Sequence, residues 1–284
     1  MQRLIVVLTI CLCLHLSQKQ KHMKASILIS LTVLLFFQAA VTTVFAQDKV
    51  QHEYVDLGLS VMWATCNIGA DAPEDYGEYY AWGETETKKT YKWSTYKWCE
   101  GNNLDSLTLD NSLALTKYNN ISSCGIVDNK TILHPEDDVA HVKWGGSWRM
   151  PSVKEFQELI ENCTWTWTSL NGVDGYRVTS KIAGYTDRSI FLPEAGGCWW
   201  SGRHVGLRGN YWSSSLKSEY PDGAVIPESE VESIAYSLSA FNICFSSEDV
   251  NCVDETRCFG LSVRPVFPKM STVDVAADSK RVLY

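Results

Sequence analysis

Apolar and polar positions between residues 152 and 162 follow the period of an α-helix. Apolar residues recur at helical spacing from Val153 to Ile160, and charged residues occupy the opposite face. Ser152 and Glu155 have the spacing of a capping box, in which each side chain accepts a hydrogen bond from the other residue's backbone N–H group. The pattern therefore predicts a helix that begins at Ser152 and ends near Asn162.

Downstream of this helix the apolar positions alternate with polar ones, which is typical of half-buried strands. Asn171-Gly172 and Asp174-Gly175 supply turn residues between two such segments. Residues 84–144 show no clear period, and we expect short elements there that the pattern does not locate. Short antiparallel strands, one capped helix and long loops predict a single α+β domain over 47–267, followed by a polar tail at 268–284. The predicted strands are 54–65 (interrupted by a glycine turn), Tyr79–Trp82, Trp165–Thr168, Tyr176–Ser180, Ser189–Leu192, Tyr211–Ser215, Ile234–Phe241 and Gly260–Phe267.

The first 46 residues have the pattern of a targeting segment. An apolar run from Ile27 to Ala46 follows Lys24 and ends in the small-x-small triplet that precedes signal-peptide cleavage. We therefore predict cleavage after Ala46, with Met23 as a candidate true start, and export to the periplasm, the cell surface or the medium. The alternative is that this run is retained as a membrane anchor, since it is about long enough to span a bilayer.

Eight cysteines lie beyond the targeting segment, and an even number in an exported chain favours disulfides. Their pairing stays open, although Cys244, Cys252 and Cys258 are close enough in sequence to staple one loop. A metal site is not predicted, because no CxxC motif occurs and the histidines lack ligand spacing. The disulfide candidates are Cys66, Cys99, Cys124, Cys163, Cys198, Cys244, Cys252 and Cys258.

The charge beyond residue 46 argues against nucleic acid as a partner. Four of the 25 basic residues lie in the first 46 residues, and all 33 acidic residues lie beyond them. The remaining 21 basic and 33 acidic residues give a formal charge of −12. An acidic surface without a basic stripe repels phosphate backbones.

Six segments occur in a fixed order: 54–65, Tyr80–Glu84, Trp144–Pro151, Phe191–Pro193, Tyr211–Ser215 and Gly260–Val266. Together they span roughly residues 53–267 and resemble the Fibrobacter succinogenes major paralogous domain family. The resemblance implies a C-type-lectin-like fold, related to the domain of formylglycine-generating enzymes, in an exported bacterial protein. In two of the segments Arg149 and Arg264 are predicted to be partly buried cations that satisfy loop carbonyls.

Catalytic chemistry finds little support in the residues. The triplets through which C-type lectins chelate calcium and sugar together do not occur, and neither a Walker A nor a G-x-S-x-G motif is present. Cys252 and Cys258 do not match the cysteine motif of the formylglycine-generating enzymes. We therefore expect a non-enzymatic binding or adhesion module without a cofactor; the alternatives are an enzyme on the same scaffold and a structural subunit of a surface assembly.

The segment Gly196–Gly209 is the predicted binding site. Indole faces stack on sugar rings or peptide side chains, and guanidinium groups pair with carboxylates, so we expect a glycan or a surface protein as the partner. The alternative is that the two tryptophans only pack the core or a loop. The candidate site residues are Trp199, Trp200, Arg203, His204 and Arg208.

Overall fold

A computed structural model describes residues 52–100, 114–200, 202–217 and 238–269. They belong to one unit that begins at His52. The targeting segment at 1–46, its cleavage site and residues 270–284 of the predicted tail lie outside the described residues, so these predictions remain predictions. In the described ranges no helix combines the length and the apolar character needed to span a bilayer.

Two α-helices occur among the described residues, and local caps fix the start of each. Helix α1 spans Val139–Trp144, and the buried Asp138 carboxylate accepts hydrogen bonds from the first N–H groups of this helix. Helix α2 spans Val153–Asn162. Its capping box is formed by Ser152 and Glu155, so the helix predicted from the sequence is confirmed.

Fourteen short strands in the described ranges form five small sheets. The orders are β1-β2-β14, β3-β4, β5-β6-β7, β13-β8-β9 and β10-β11-β12, and every ladder between them is antiparallel. The architecture is therefore α+β with a predominance of small antiparallel sheets. The strands are β1 Tyr54–Val55, β2 Val61–Ala64, β3 Cys99–Glu100, β4 Ala114–Leu115, β5 Cys163–Leu170, β6 Val173–Ser180, β7 Ser189–Pro193, β8 Gly197–Trp199, β9 Gly202–His204, β10 Gly209–Leu216, β11 Ser239–Phe245, β12 Val250–Thr256, β13 Gly260–Leu261 and β14 Val266–Pro268.

Most predicted strands are present, but some differ from the prediction. The predicted strand Gly260–Phe267 is divided into the two short strands β13 and β14. The segment Tyr79–Trp82 is not a strand; Tyr80 makes only one isolated bridge, to Leu261. Strand β12 was not predicted, because it lies at a sheet edge and its polar sequence shows little alternation. Residues 234–237 of one predicted strand lie outside the described ranges, and β11 begins at Ser239.

The buried apolar side chains form three clusters. The first packs helix α2 against the inner faces of β5–β7 and β10–β12, with Phe156 and Phe245 near its centre. The second surrounds the fully buried Trp82 and Trp212. The third contains three tyrosines and three cysteines and underlies the hairpin of β8 and β9. Its members are Tyr79, Ala81, Tyr91, Trp93, Tyr96, Cys99, Leu115, Cys124 and Cys258.

Arginines satisfy loop carbonyls in the interior, as predicted. Arg264 is fully buried; its Nη1 donates to the carbonyl oxygens of Ala64 and Thr65, and its Nε donates to Asn67 Oδ1 at 2.8 Å. Arg149 donates to the Met150 carbonyl and forms an ion pair with Glu155. These donors replace the backbone partners that irregular segments lack.

A series of aromatic contacts lies beside the sheet that contains the first and the last strand, β1 and β14. His52 stacks on Trp144 with centroids 3.7 Å apart, and Trp148 meets both Trp144 and Phe267 edge-on. Trp148 is buried whereas Trp144 is half-buried, so only the Trp148 indole lies in the interior. Burial lowers the pKa of His52.

This lowered pKa predicts a pH dependence of stability. The unfolded chain keeps a histidine pKa of about 6.5, so below that pH it binds the His52 proton more readily than the folded chain does. The free energy of unfolding should therefore fall as the pH drops from about 7 to about 5. His52→Phe keeps a ring on Trp144 without a titrating group. Urea unfolding at several pH values should show a smaller slope for this variant, and an unchanged slope would contradict the assignment.

Candidate functional site

The predicted binding segment folds into a short hairpin. Strand β8 pairs with β9 so that Cys198 lies opposite Arg203 and Trp199 lies opposite Gly202, and β8 also pairs with β13. Gly196, which precedes β8, has φ +72°, and a Cβ atom there would overlap the carbonyl oxygen of His204. Only glycine allows the backbone to approach His204 this closely, so Gly196 brings the start of the hairpin next to its end.

The hairpin divides the predicted site residues between two faces, because side chains alternate along a strand. Trp199 and His204 lie on one face, with ring centroids 5.1 Å apart. Arg203 lies on the other face, where its guanidinium sits 4.7 Å from the centroid of the Tyr79 ring. The register therefore separates Arg203 from the tryptophan face, and the predicted role of these residues in binding stays a prediction.

Arg208 lies away from the tip of the hairpin. It is exposed at the start of β10, and its Nη1 donates to the Cys244 sulfur at 3.7 Å. The adjacent Gly209 lies directly against the Phe245 ring, where any Cβ atom would overlap ring carbons. Arg208 thus lies at the base of the hairpin, where its carbonyl accepts from Gly196 N–H at 2.7 Å, and its side chain contacts β11 and not the tryptophan face.

Trp200 occupies the hairpin turn and is the most unusual residue of the site. Its φ is +51°, a left-handed conformation that costs a bulky residue energy. Its backbone exchanges two hydrogen bonds with Tyr91, from Trp200 N–H at 2.9 Å and from Tyr91 N–H at 2.6 Å. Its side chain is 51 % exposed. The fold therefore holds an indole outward in a fixed, strained position.

Phe259 supports the two indoles from the side. Its ring centroid lies 5.8 Å from that of Trp200 and 6.2 Å from that of Trp199. We define the hairpin surface as Trp199, Trp200, His204 and Phe259, which these ring contacts connect. The sequence did not point to Phe259 or to Tyr91, because both meet the hairpin only through long-range contacts.

The loop that follows β9 in the sequence carries two further exposed apolar side chains. Val205 is exposed, and Leu207 has 69 % of its surface open to solvent. Single exposed apolar residues are ordinary on a protein surface, but three within eight residues of one hairpin are concentrated. They give the segment the character of a contact surface for another molecule.

The eight candidate cysteines carry thiols in the structure, and no disulfide joins them. Cys244 and Cys252 lie on neighbouring strands, but the register places them on opposite faces of the sheet, since Cys252 faces Ile243. Cys258 belongs to the third cluster. The three late cysteines therefore do not staple one loop in this geometry, and the disulfides themselves stay a prediction.

The thiols are also poorly placed for the enzyme alternative. Cys252 packs against the first cluster and Cys258 lies in the third, so the structure does not bring them together as a reactive pair. Burial raises the pKa of Cys252 to about 12 and also raises the pKa of Cys258. A raised pKa depletes the thiolate, which is the reactive form. In the described ranges no three His, Cys, Asp or Glu side chains are arranged to hold a metal ion.

Comparison with protein-family models, with curated proteins and with solved structures found no match.

Proposed function

We propose that the chain is an exported bacterial binding or adhesion module with a C-type-lectin-like fold, which recognises a glycan or a protein through the hairpin surface. One observation carries this proposal. Trp200 is a bulky residue in a left-handed backbone conformation, with half of its side chain exposed. Strain and apolar exposure each destabilise the free protein, and they are typical of sites kept for a ligand.

The resemblance segments support the fold part of the proposal by where they lie. Trp82, Trp148, Trp212 and Arg264 each belong to a resemblance segment, and all four are buried. Residues that share burial in this way specify a scaffold rather than a site. The hairpin surface lies outside those segments, which is the arrangement expected where a shared scaffold carries a ligand site of its own.

The geometry of the hairpin surface suits stacking. An exposed indole offers a flat apolar face to a sugar ring or to an apolar side chain. Because the Tyr91 hydrogen bonds fix the Trp200 backbone, less conformational freedom is lost on binding than for a mobile loop. Fixed aromatic residues of this kind dominate the energy of many interfaces.

A binding experiment tests the proposal. A screen of glycans and of surface proteins should give at least one ligand, whose affinity for Trp200→Ala should be about 30-fold weaker, since a central aromatic contributes about 2 kcal/mol. Ile126→Ala is the control, because Ile126 is 63 % exposed and lies outside the hairpin surface. Circular dichroism and the melting temperature should show that both variants fold.

Three outcomes would contradict the proposal. Equal loss of affinity in both variants would place the ligand elsewhere or show a general loss of structure. Bound copper, with an activity that disappears on thiol alkylation, would favour an enzyme on the same scaffold. Self-association that rises with concentration, in the absence of any ligand, would favour a structural subunit.

A further inference from the structure

We infer that Cys99 and Cys258 form a disulfide when the chain folds in the presence of a small-molecule disulfide, which cross-links β3 to the segment before β13. Two cysteines can be bridged only when their Cα atoms lie within about 7 Å and the Cβ atoms face each other. The pairing therefore depends on which thiols the fold brings together. It rests on the third cluster and not on the ligand proposed for the hairpin surface.

The third cluster gathers thiols from distant parts of the chain. Cys99 is 9 % exposed and Cys258 is 1 % exposed, and both lie among the same buried tyrosines. Cys124 belongs to the same cluster, and Cys198 packs against it. Four of the eight candidate cysteines therefore meet in or beside one small cluster.

Backbone and side-chain contacts bring the segments of Cys99 and Cys258 close to each other. The Cys99 N–H donates to the Tyr96 carbonyl at 3.2 Å, and the Tyr96 hydroxyl accepts from Arg257 Nε, also at 3.2 Å. Arg257 immediately precedes Cys258. One tyrosine thus links the two cysteine-bearing segments, and the fully buried Arg257 anchors the contact by donating to the Tyr118 carbonyl at 2.7 Å.

The pKa of the Cys258 thiol agrees with a position close to Cys99. Burial is the main cause that raises the pKa of Cys258, and the neighbouring Cys99 sulfur adds to it. By contrast, Cys163 and Cys252 both contact the first cluster, yet neither thiol affects the pKa of the other. Sharing a cluster does not by itself bring two sulfurs together, so Cys163 and Cys252 serve as a control pair.

The reaction balances with one molecule of a small disulfide such as oxidised glutathione. Before the cluster closes, the Cys99 thiol has the ordinary pKa of about 8.5 and supplies the attacking thiolate. It displaces one glutathione thiolate and forms a mixed disulfide. The Cys258 thiol then loses its proton, attacks the Cys99 sulfur and releases the second glutathione. Two protein thiols become one disulfide, and the small disulfide becomes two thiols.

The disulfide would also restrain Phe259, which contacts the tryptophans of the hairpin surface. Phe259 follows Cys258 directly and holds the rings of Trp199 and Trp200. A Cys99–Cys258 cross-link would close a long loop of chain and lower the entropy of the unfolded state. The melting temperature of the oxidised chain should then rise by about 10 °C.

Peptide mapping tests the pairing directly. The full chain is reduced, unfolded and refolded with oxidised glutathione, the remaining thiols are blocked, and trypsin digestion follows without reduction. Cleavage after lysine and arginine, but not before proline, places Cys99 alone in peptide 98–117 and Cys258 alone in peptide 258–269. We expect these two peptides to be joined, the number of titratable thiols to fall by two, and dithiothreitol to separate them.

Serine variants show which cysteines form the joined peptide. Cys99→Ser and Cys258→Ser should each abolish the joined peptide, whereas Cys163→Ser, at a similarly buried site, should leave it intact. If peptide 98–117 joins peptide 118–130, which carries Cys124, the assignment is wrong. The same holds if all thiols still titrate after refolding. Mapping of the parental chain needs no variant to fold and no ligand, so its failure is separate from a failure of the binding proposal.

Discussion

Replacing Arg264 with methionine should lower the free energy of unfolding by about 3 kcal/mol. The guanidinium of this fully buried side chain donates to the carbonyl oxygens of Ala64 and Thr65 and to Asn67 Oδ1. Methionine fills much of the volume but donates nothing, and each buried acceptor left without a partner costs about 1–3 kcal/mol. Urea unfolding, compared at a constant m-value, measures the change.

Arg177→Met is the matched control for this prediction. Arg177 is exposed on β6, so the same substitution there should change the free energy of unfolding by less than about 0.5 kcal/mol. If Arg264→Met unfolds at the same urea concentration as Arg177→Met, the hydrogen bonds of Arg264 do not contribute to stability.

Replacing Trp212 with alanine should lower the free energy of unfolding by about 3–5 kcal/mol. Trp212 is fully buried in the second cluster, and its indole N–H donates to the Tyr80 carbonyl at 2.8 Å. Trp82 makes the matching contact, donating from its indole to the Ser213 carbonyl at 2.8 Å. The two indoles thus tie strand β10 to the segment around Tyr80. Alanine at 212 would leave a cavity and remove one of the two hydrogen bonds that the Tyr80 carbonyl accepts.

Trp200→Ala provides the comparison for Trp212→Ala. Because half of the Trp200 side chain is exposed, its removal should cost less than about 1 kcal/mol of stability while it weakens ligand binding. The two tryptophan variants therefore separate a residue of the core from a residue of the surface. Similar melting temperatures for both would contradict the burial that distinguishes them.

Local signals explain which elements could be predicted from the sequence. Helix α2 was predicted because its cap and its apolar period lie within one segment of eleven residues. The hairpin of β5 and β6 followed from alternating residues around Asn171-Gly172. Arg264 was predicted as a buried donor because an arginine in a loop-rich fold has few other roles in the interior.

Elements that depend on distant partners could not be predicted. Helix α1 has only six residues, too few for a period, although Asp138 is a recognisable N-cap. Strand β12 exists because β11 pairs with it along its whole length, and its own apolar face is short, consisting of Val250 and Cys252. Within 84–144 the short turns and strands are held by contacts such as the Tyr91–Trp200 bridge, which a local pattern does not contain.

The candidate site shows the same limit. Composition pointed to the segment Gly196–Gly209 and treated five of its side chains as one site, and their role in binding stays a prediction. Strand alternation turns Arg203 away from the indoles, and the Arg208 side chain contacts Cys244 on β11. The exposure and the left-handed backbone of Trp200 arise from the turn and from Tyr91, so only the folded structure distinguishes Trp200 from its neighbour Trp199.

Hydrogen–deuterium exchange with and without the ligand found by screening tests the central claim most directly. The account predicts that ligand slows amide exchange in peptides that cover 196–208, with a second protected region around Phe259. The same experiment on Trp200→Ala should show no protection at equal ligand concentration. Protection confined to other surfaces, with the hairpin exchanging at an unchanged rate, would contradict the assignment of the hairpin as the binding surface.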